Sequence, residues 1–200
     1  IKNGLNALTI DLRNYGQSSI ISNYDNLGAT EYNDVLGAFD FLQTRGFKKH
    51  QIGLMGISLG GSSVIYAATN DSNINAIWVD SAYAEFNMAL SDEIGRYGFP
   101  NIFGPALSLA GELLTGIDVT ALSPAHLLMQ NDQHYYFTHG ESDQRMYVRH
   151  FHYFKKYVLS NNINAEFWLV SDTHHIDAML KYPKEYGLRM KNFFQKHLNK

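Results

Sequence analysis

Five short apolar runs recur along the chain: NALTID (6–11), QIGLMG (51–56), INAIWVD (74–80), QHYYFTHG (133–140) and AEFWLV (165–170). Each has the length and residue types of a strand. The segments between them follow a helical period instead. Over 30–43, Val35, Ala38, Phe39 and Leu42 share one face, with Thr30 placed as N-cap and Gly46 as stop. A small-residue helix is expected over 62–68. A third covers 146–159, with Met146, His150, Tyr153, Phe154 and Tyr157 along one side. The last starts near residue 183 and turns Tyr186, Met190, Phe193, Phe194 and His197 inward. Strands alternating with helices predict an α/β fold, a mostly parallel sheet flanked by helices on both faces. The alternation breaks once. Residues 85–130 contain no convincing strand and read as helical stretches interrupted by Gly and Pro. They are expected to form a cap-like helical insertion over the C-terminal edge of the sheet, within a single domain spanning 1–200.

Composition narrows the function classes. The 200 residues are 45% hydrophobic and 18% charged, which suits one globular domain with a sizeable core. Net charge is −3 and no run of Lys or Arg exceeds two, so electrostatics give no ground for nucleic acid or an anionic membrane as partner. Cysteine is absent, which removes disulfides, thiolate metal sites and a cysteine nucleophile. No apolar run approaches the length of a membrane span.

The segment LMGISLGGSS holds a G-x-S-x-G match, Gly56 to Gly60, between an expected strand and a helix rich in small residues. A sharp strand–turn–helix holds such a serine in a strained backbone conformation with its hydroxyl above the sheet. Gly56 and Gly60 are expected where side chains would collide across the turn. The amide of the next residue, Leu59, then points at a developing oxyanion, at a helix N-terminus that favours negative charge. A phosphate loop fits less well, since neither G-x-x-x-x-G-K-[ST] nor G-x-G-x-x-G is present.

From here the chain resembles the α/β-hydrolase superfamily, in its serine esterase, lipase and prolyl-oligopeptidase-like branch. DLRNYGQS (11–18) resembles the D-x-R-G-x-G-x-S loop of that branch, with Asn14 where Gly is usual. GISLGG resembles its nucleophile elbow, THGESD (138–143) the loop carrying its acid, and HIDAMLKYPKEY (175–186) its histidine loop; ALSP (121–124) also fits. The resemblance implies a triad in the chain order Ser58, Asp143, His175, each just past the C-terminal end of a strand. It implies His175 as general base and then acid, Asp143 as the group that orients it, and the Leu59 amide as half of an oxyanion hole. Glu141 and Asp172 are rival acids. His174 is the rival base, although Ala178 and Pro183–Tyr186 set the family register on His175. Asp11 and Arg13 are expected to hold their loop.

The implied chemistry is cleavage of a carboxylic ester or thioester through an acyl-enzyme, on a small-molecule or acylated substrate and without cofactor. A prolyl-oligopeptidase-type peptidase and a non-catalytic interaction module are the alternatives. Phe86, Phe99 and Phe103 are candidate substrate contacts on the apolar insertion, against ordinary helix packing. A metal site is not expected, because His150 and His152 diverge on their helix and the adjacent His174 and His175 chelate poorly. The family sheet has eight strands and only the last five find matches here, so the sequence reads as a fragment of a longer hydrolase. The unmatched part includes the strand between 6–11 and 51–56 and the second oxyanion amide, a donor worth on the order of 3 kcal/mol.

Overall fold

The computed structural model describes residues 4–118, 121–128 and 133–198. Its four strands are β1 (Leu54–Ile57), β2 (Ala76–Asp80), β3 (His134–Gly140) and β4 (Ala165–Val170), paired in parallel in the order β1-β2-β3-β4. Seven helices surround them among the described residues: α1 (Tyr32–Thr44), α2 (Leu59–Asn70), α3 (Phe86–Arg96), α4 (Gly104–Thr115), α5 (Arg149–Ser160), α6 (Ala178–Lys181) and α7 (Pro183–Leu198).

The order explains which face each helix takes. Successive right-handed crossovers moving in one direction put their helices on one side of the sheet. Accordingly α2 and α5, joined by α1, cover the face formed by Ile77, Val79, Tyr135 and Phe137. Among the described residues no strand follows β4, and α7 runs back across the opposite face over Ala76, Trp78 and Tyr136. Strict alternation along β2 and β3 feeds both cores, so β2 is buried at every position. Trp78 stacks on Tyr136 with ring centroids 3.9 Å apart and planes 2° from parallel.

Three expectations are corrected. Residues 6–11 form no strand: the stretch has no ladder partner among the described residues and is exposed, with Leu8 and Ile10 both over 40% accessible (43% and 42%). An extended segment gains little without a neighbour to take its amides and carbonyls. The first helix starts at Tyr32, not at a Thr30 cap. The buried Glu31 carboxylate instead takes the amides of Asn26 and Gly28, at 2.8 and 2.9 Å, and winds the loop before the helix. The helix expected from 146 begins at Arg149, because the amides of Arg145 and Met146 are turned toward the Asp143 carboxylate.

The insertion contains α3 and α4, as its composition suggests; residues 119, 120, 129 and 130 of it lie outside the described residues. It leaves the sheet at the C-terminal end of β2 and is clamped to α5. The Ala84 amide donates to His150 Nδ1 at 3.0 Å, so the ring proton sits on Nε2 and is given to Asp92 of α3 at 3.1 Å. Burial, with His139 and Arg149 nearby, pushes the His150 imidazole down to about 3. Arg149 completes the clamp on the Asp92 carboxylate.

The turn from β1 into α2 is tight at Gly56, where a Cβ would lie 2.0 Å from the Gly60 carbonyl oxygen and 2.7 Å from the Gly61 nitrogen. At Gly60, expected to be equally crowded, a Cβ would meet nothing within 4 Å among the described residues. Crowding falls instead on Gly61, whose Cβ would come 2.9 Å from that of Ala82. Urea unfolding should therefore separate two similar substitutions: Gly56→Ala is expected to lose about 3 kcal/mol or to prevent folding, and Gly60→Ala to change stability by less than about 1 kcal/mol.

Candidate active site

The C-terminal ends of the strands lie side by side, and each delivers one element of the site. Past β1, Ser58 adopts φ 54° and ψ −117°, a sparsely populated conformation for a residue with a side chain. The sheet holds it there: the Ser58 amide donates to the Asp80 carbonyl at 2.8 Å, extending the β1–β2 ladder by one rung. Leu59 is the first residue of α2, so its amide has no carbonyl of its own helix to bond.

At the end of β3, Gly140 is pressed against the loop that follows β4. A Cβ on it would lie 2.5 Å from the carbonyl oxygens of both Thr173 and His174. That contact, with the Ser142 amide donating to the Thr173 carbonyl at 2.9 Å, brings the two loops together. Asp143 Oδ2 consequently lies 2.7 Å from His175 Nδ1, and His175 Nε2 lies 3.0 Å from Ser58 Oγ. The rival acids Glu141 and Asp172 are exposed. His174 is exposed as well and faces the Ser142 carbonyl, 3.0 Å from its Nδ1.

Asp143 is 3% accessible yet fully partnered. Oδ1 accepts the amides of Arg145 and Met146 at 2.8 and 2.9 Å, and Oδ2 faces His175 and, at 3.3 Å, His139 Nε2. Burial alone would raise this carboxyl. Hydrogen bonds from His139 and His175, the charge of His175 and the Met146 amide outweigh burial and hold it well below the usual carboxylate range. An ionised Asp143 is an acceptor only, so His175 Nδ1 carries the proton and Nε2 is left to accept from the Ser58 hydroxyl.

Three residues to which the sequence assigns no part in the site support this constellation. His139, at the penultimate position of β3, sits behind Asp143. Asp80, at the end of β2, is buried and accepts from Tyr186 Oη at 2.7 Å and Ser81 Oγ at 2.8 Å; burial raises its carboxyl against the pull of those two hydroxyls and of His139 and His175. Tyr186, which also accepts from Trp78 Nε1 at 3.0 Å, is itself pushed up by burial and by Asp80. Strands buried on both faces carry no alternation that would have marked His139 or Asp80.

The DLRNYGQS loop is tied to itself, to the residues after it and to α1. Asp11 takes the Gln17 amide and Arg13 forks onto Asp34 of α1, with Nε and Nη2 at 2.9 and 2.7 Å. Asn14 occupies φ 68°, the left-handed region that asparagine tolerates best after glycine, and its Oδ1 accepts from Ile21 and Ser22. On the insertion, Phe99 and Phe103 form an exposed edge-to-face pair with centroids 6.4 Å apart, and Phe86 is half-buried at the start of α3. A separate open cleft of about 450 Å³ lies between α3 and α4, lined by Leu90, Ile94, Pro105, Ser108 and Leu109 among others; none of the three phenylalanines, nor Ser58 or His175, borders it. Among the described residues no group of three or more His, Cys, Asp or Glu is arranged to hold a metal ion, and no helix is long and apolar enough to cross a membrane.

Comparison with solved structures matches this architecture to α/β-hydrolases. An esterase from Pyrococcus furiosus superimposes with a TM-score of 0.75 at 19% identity, over 99% of this chain and 73% of that one. An acylaminoacyl peptidase from Pyrococcus horikoshii gives 0.66 at 18%, over 87% of this chain and 29% of that one. A puromycin-hydrolyzing peptidase from Mycobacterium tuberculosis gives 0.69 at 14%, over 86% and 26%. The chain thus spans under a third of the length of the two peptidases. No curated protein matches it by sequence. The model of the prolyl oligopeptidase family matches residues 12–200, and the chain belongs to that family of α/β-hydrolases.

Proposed function

We propose that the site is that of a serine hydrolase cleaving a carboxylic ester or thioester through an acyl-enzyme. The supporting observation is the pair of contacts made by one imidazole, His175 Nδ1 to Asp143 at 2.7 Å and Nε2 to Ser58 Oγ at 3.0 Å. In this reading Ser58 Oγ attacks the carbonyl carbon while His175 Nε2 takes its proton. The imidazolium, held by Asp143, then protonates the leaving alkoxide or thiolate as its bond to the acyl carbon breaks. Water repeats the sequence on the acyl-enzyme and releases the acid. The Leu59 amide supplies one donor to the oxyanion. Phe86, Phe99 and Phe103 are the proposed acyl contacts, on a segment that leaves the sheet beside Ser58. Peptide-bond cleavage is the second reading, favoured by the family itself and by the fold's likeness to an acylaminoacyl peptidase.

A fluorophosphonate probe is expected to label Ser58 in the folded protein and to miss a Ser58→Ala variant; folded protein that takes no label at Ser58 leaves only a binding role. In labelled protein, kcat/KM across p-nitrophenyl esters of increasing acyl length, set beside peptide amides, should favour the esters, and a preference for the amides would select the peptidase. Turnover should fall by about 10⁴-fold or more in His175→Gln, which removes the base, and remain mostly intact in His174→Gln. The reverse pattern would move the base to His174.

A further inference from the structure

Resting on the triad reading above, we propose that His139 is a positioning residue for the acid: its Nε2–H, shared between the Met146 carbonyl and the Asp143 carboxylate, fixes Oδ2 against the His175 ring and limits how strongly that ring holds a proton. His139 Nε2 lies 2.7 Å from the Met146 carbonyl oxygen and 3.3 Å from Asp143 Oδ2. Both neighbours are acceptors there, so this nitrogen must carry a proton, given mainly to the carbonyl and in part to the carboxylate. The ring is 2% accessible and rests against Phe151, with centroids 6.3 Å apart, which leaves it little freedom to turn away.

The sharing matters because of what each acceptor does. The Met146 carbonyl belongs to the same turn whose amides grip Oδ1, and His139 closes that turn from below. Oδ2 is the oxygen that His175 uses. A second N–H on it withdraws part of the negative charge available to a His175 imidazolium. An imidazolium held too firmly would be slow to give its proton to a leaving group, so this donor tempers the acid rather than strengthening it.

Other charged and titratable groups face the same point and stay in place when His139 is changed. From β2, Asp80 acts on both His139 and His175, with Tyr186 of α7 and Ser81 bonded to it. From α5, His150 and Arg149 lie nearby, and from α3 Asp92 acts on Asp143. His174 is turned outward to the Ser142 carbonyl.

The test follows the His175 ring by NMR in ¹⁵N-histidine-labelled protein across roughly pH 4 to 9. In His139→Leu the titration midpoint should rise by about half a pH unit or more, because Oδ2 loses a donor. In His139→Gln, whose side-chain N–H reaches the same carboxylate, it should return to within ~0.2 unit of the parent protein. A midpoint unmoved in folded His139→Leu, or a glutamine variant that behaves like leucine, would overturn the inference and leave His139 as packing. If the leucine variant does not fold, the parent protein decides: long-range ¹H–¹⁵N correlations must place the His139 proton on Nε2, and a proton on Nδ1 alone refutes the shared donor. Because the ring is read directly and not through turnover, absence of fluorophosphonate labelling would end the hydrolase reading without deciding this one.

Discussion

The hydrogen bond from the Ser58 amide to the Asp80 carbonyl is the point where sheet and site become one structure. A residue at φ 54° outside glycine is costly by roughly 1–3 kcal/mol, and only surroundings that over-determine the turn can hold it. Here the ladder fixes the residue from one side and the close approach of Gly56 to the Gly60 carbonyl from the other. The hydroxyl is therefore placed by the same regularity that pairs the strands. Movement of β1 against β2 would be felt first at Ser58.

Asp143 shows how a buried carboxylate is kept charged without a cationic side chain forked onto it. Two backbone amides and two imidazoles fill its acceptor sites, and together they override burial. Asp80, equally inaccessible a strand away, accepts from two hydroxyls among the described residues and is raised instead, burial outweighing them and the more distant pull of His139 and His175. The two carboxyls differ less in depth than in the strength of their donors.

The sequence conveyed what depends on local pattern. AEFWLV is legible to the residue as Ala165–Val170, and motif and chain order pick out the three loops that bring Ser58, Asp143 and His175 together. Boundaries failed where a side chain competes for backbone amides, as Glu31 does before α1 and Asp143 before α5. The run at 6–11 has strand chemistry and no neighbour, and strand formation is a property of the pair. The parts played by His139, Asp80 and Tyr186 carry no local mark: Asp80 meets Tyr186 from 106 positions away, and His139 reaches Asp143, four positions on, only because the chain turns after β3.

Those separations bear on how the molecule comes into being. Ser58 and His175 are 117 residues apart, and Tyr186 reaches Asp80 across 106. Loops of that length must close before either contact can form, so the site belongs to the slow, non-local part of folding. A chain that has completed β1, α2 and β2 already has its serine on the elbow but no imidazole beside it. Until β4 has docked and its loop has passed Gly140, the hydroxyl lacks its contact with His175 Nε2. The contact between Ser58 and His175 thus forms last, once the four described strands have paired.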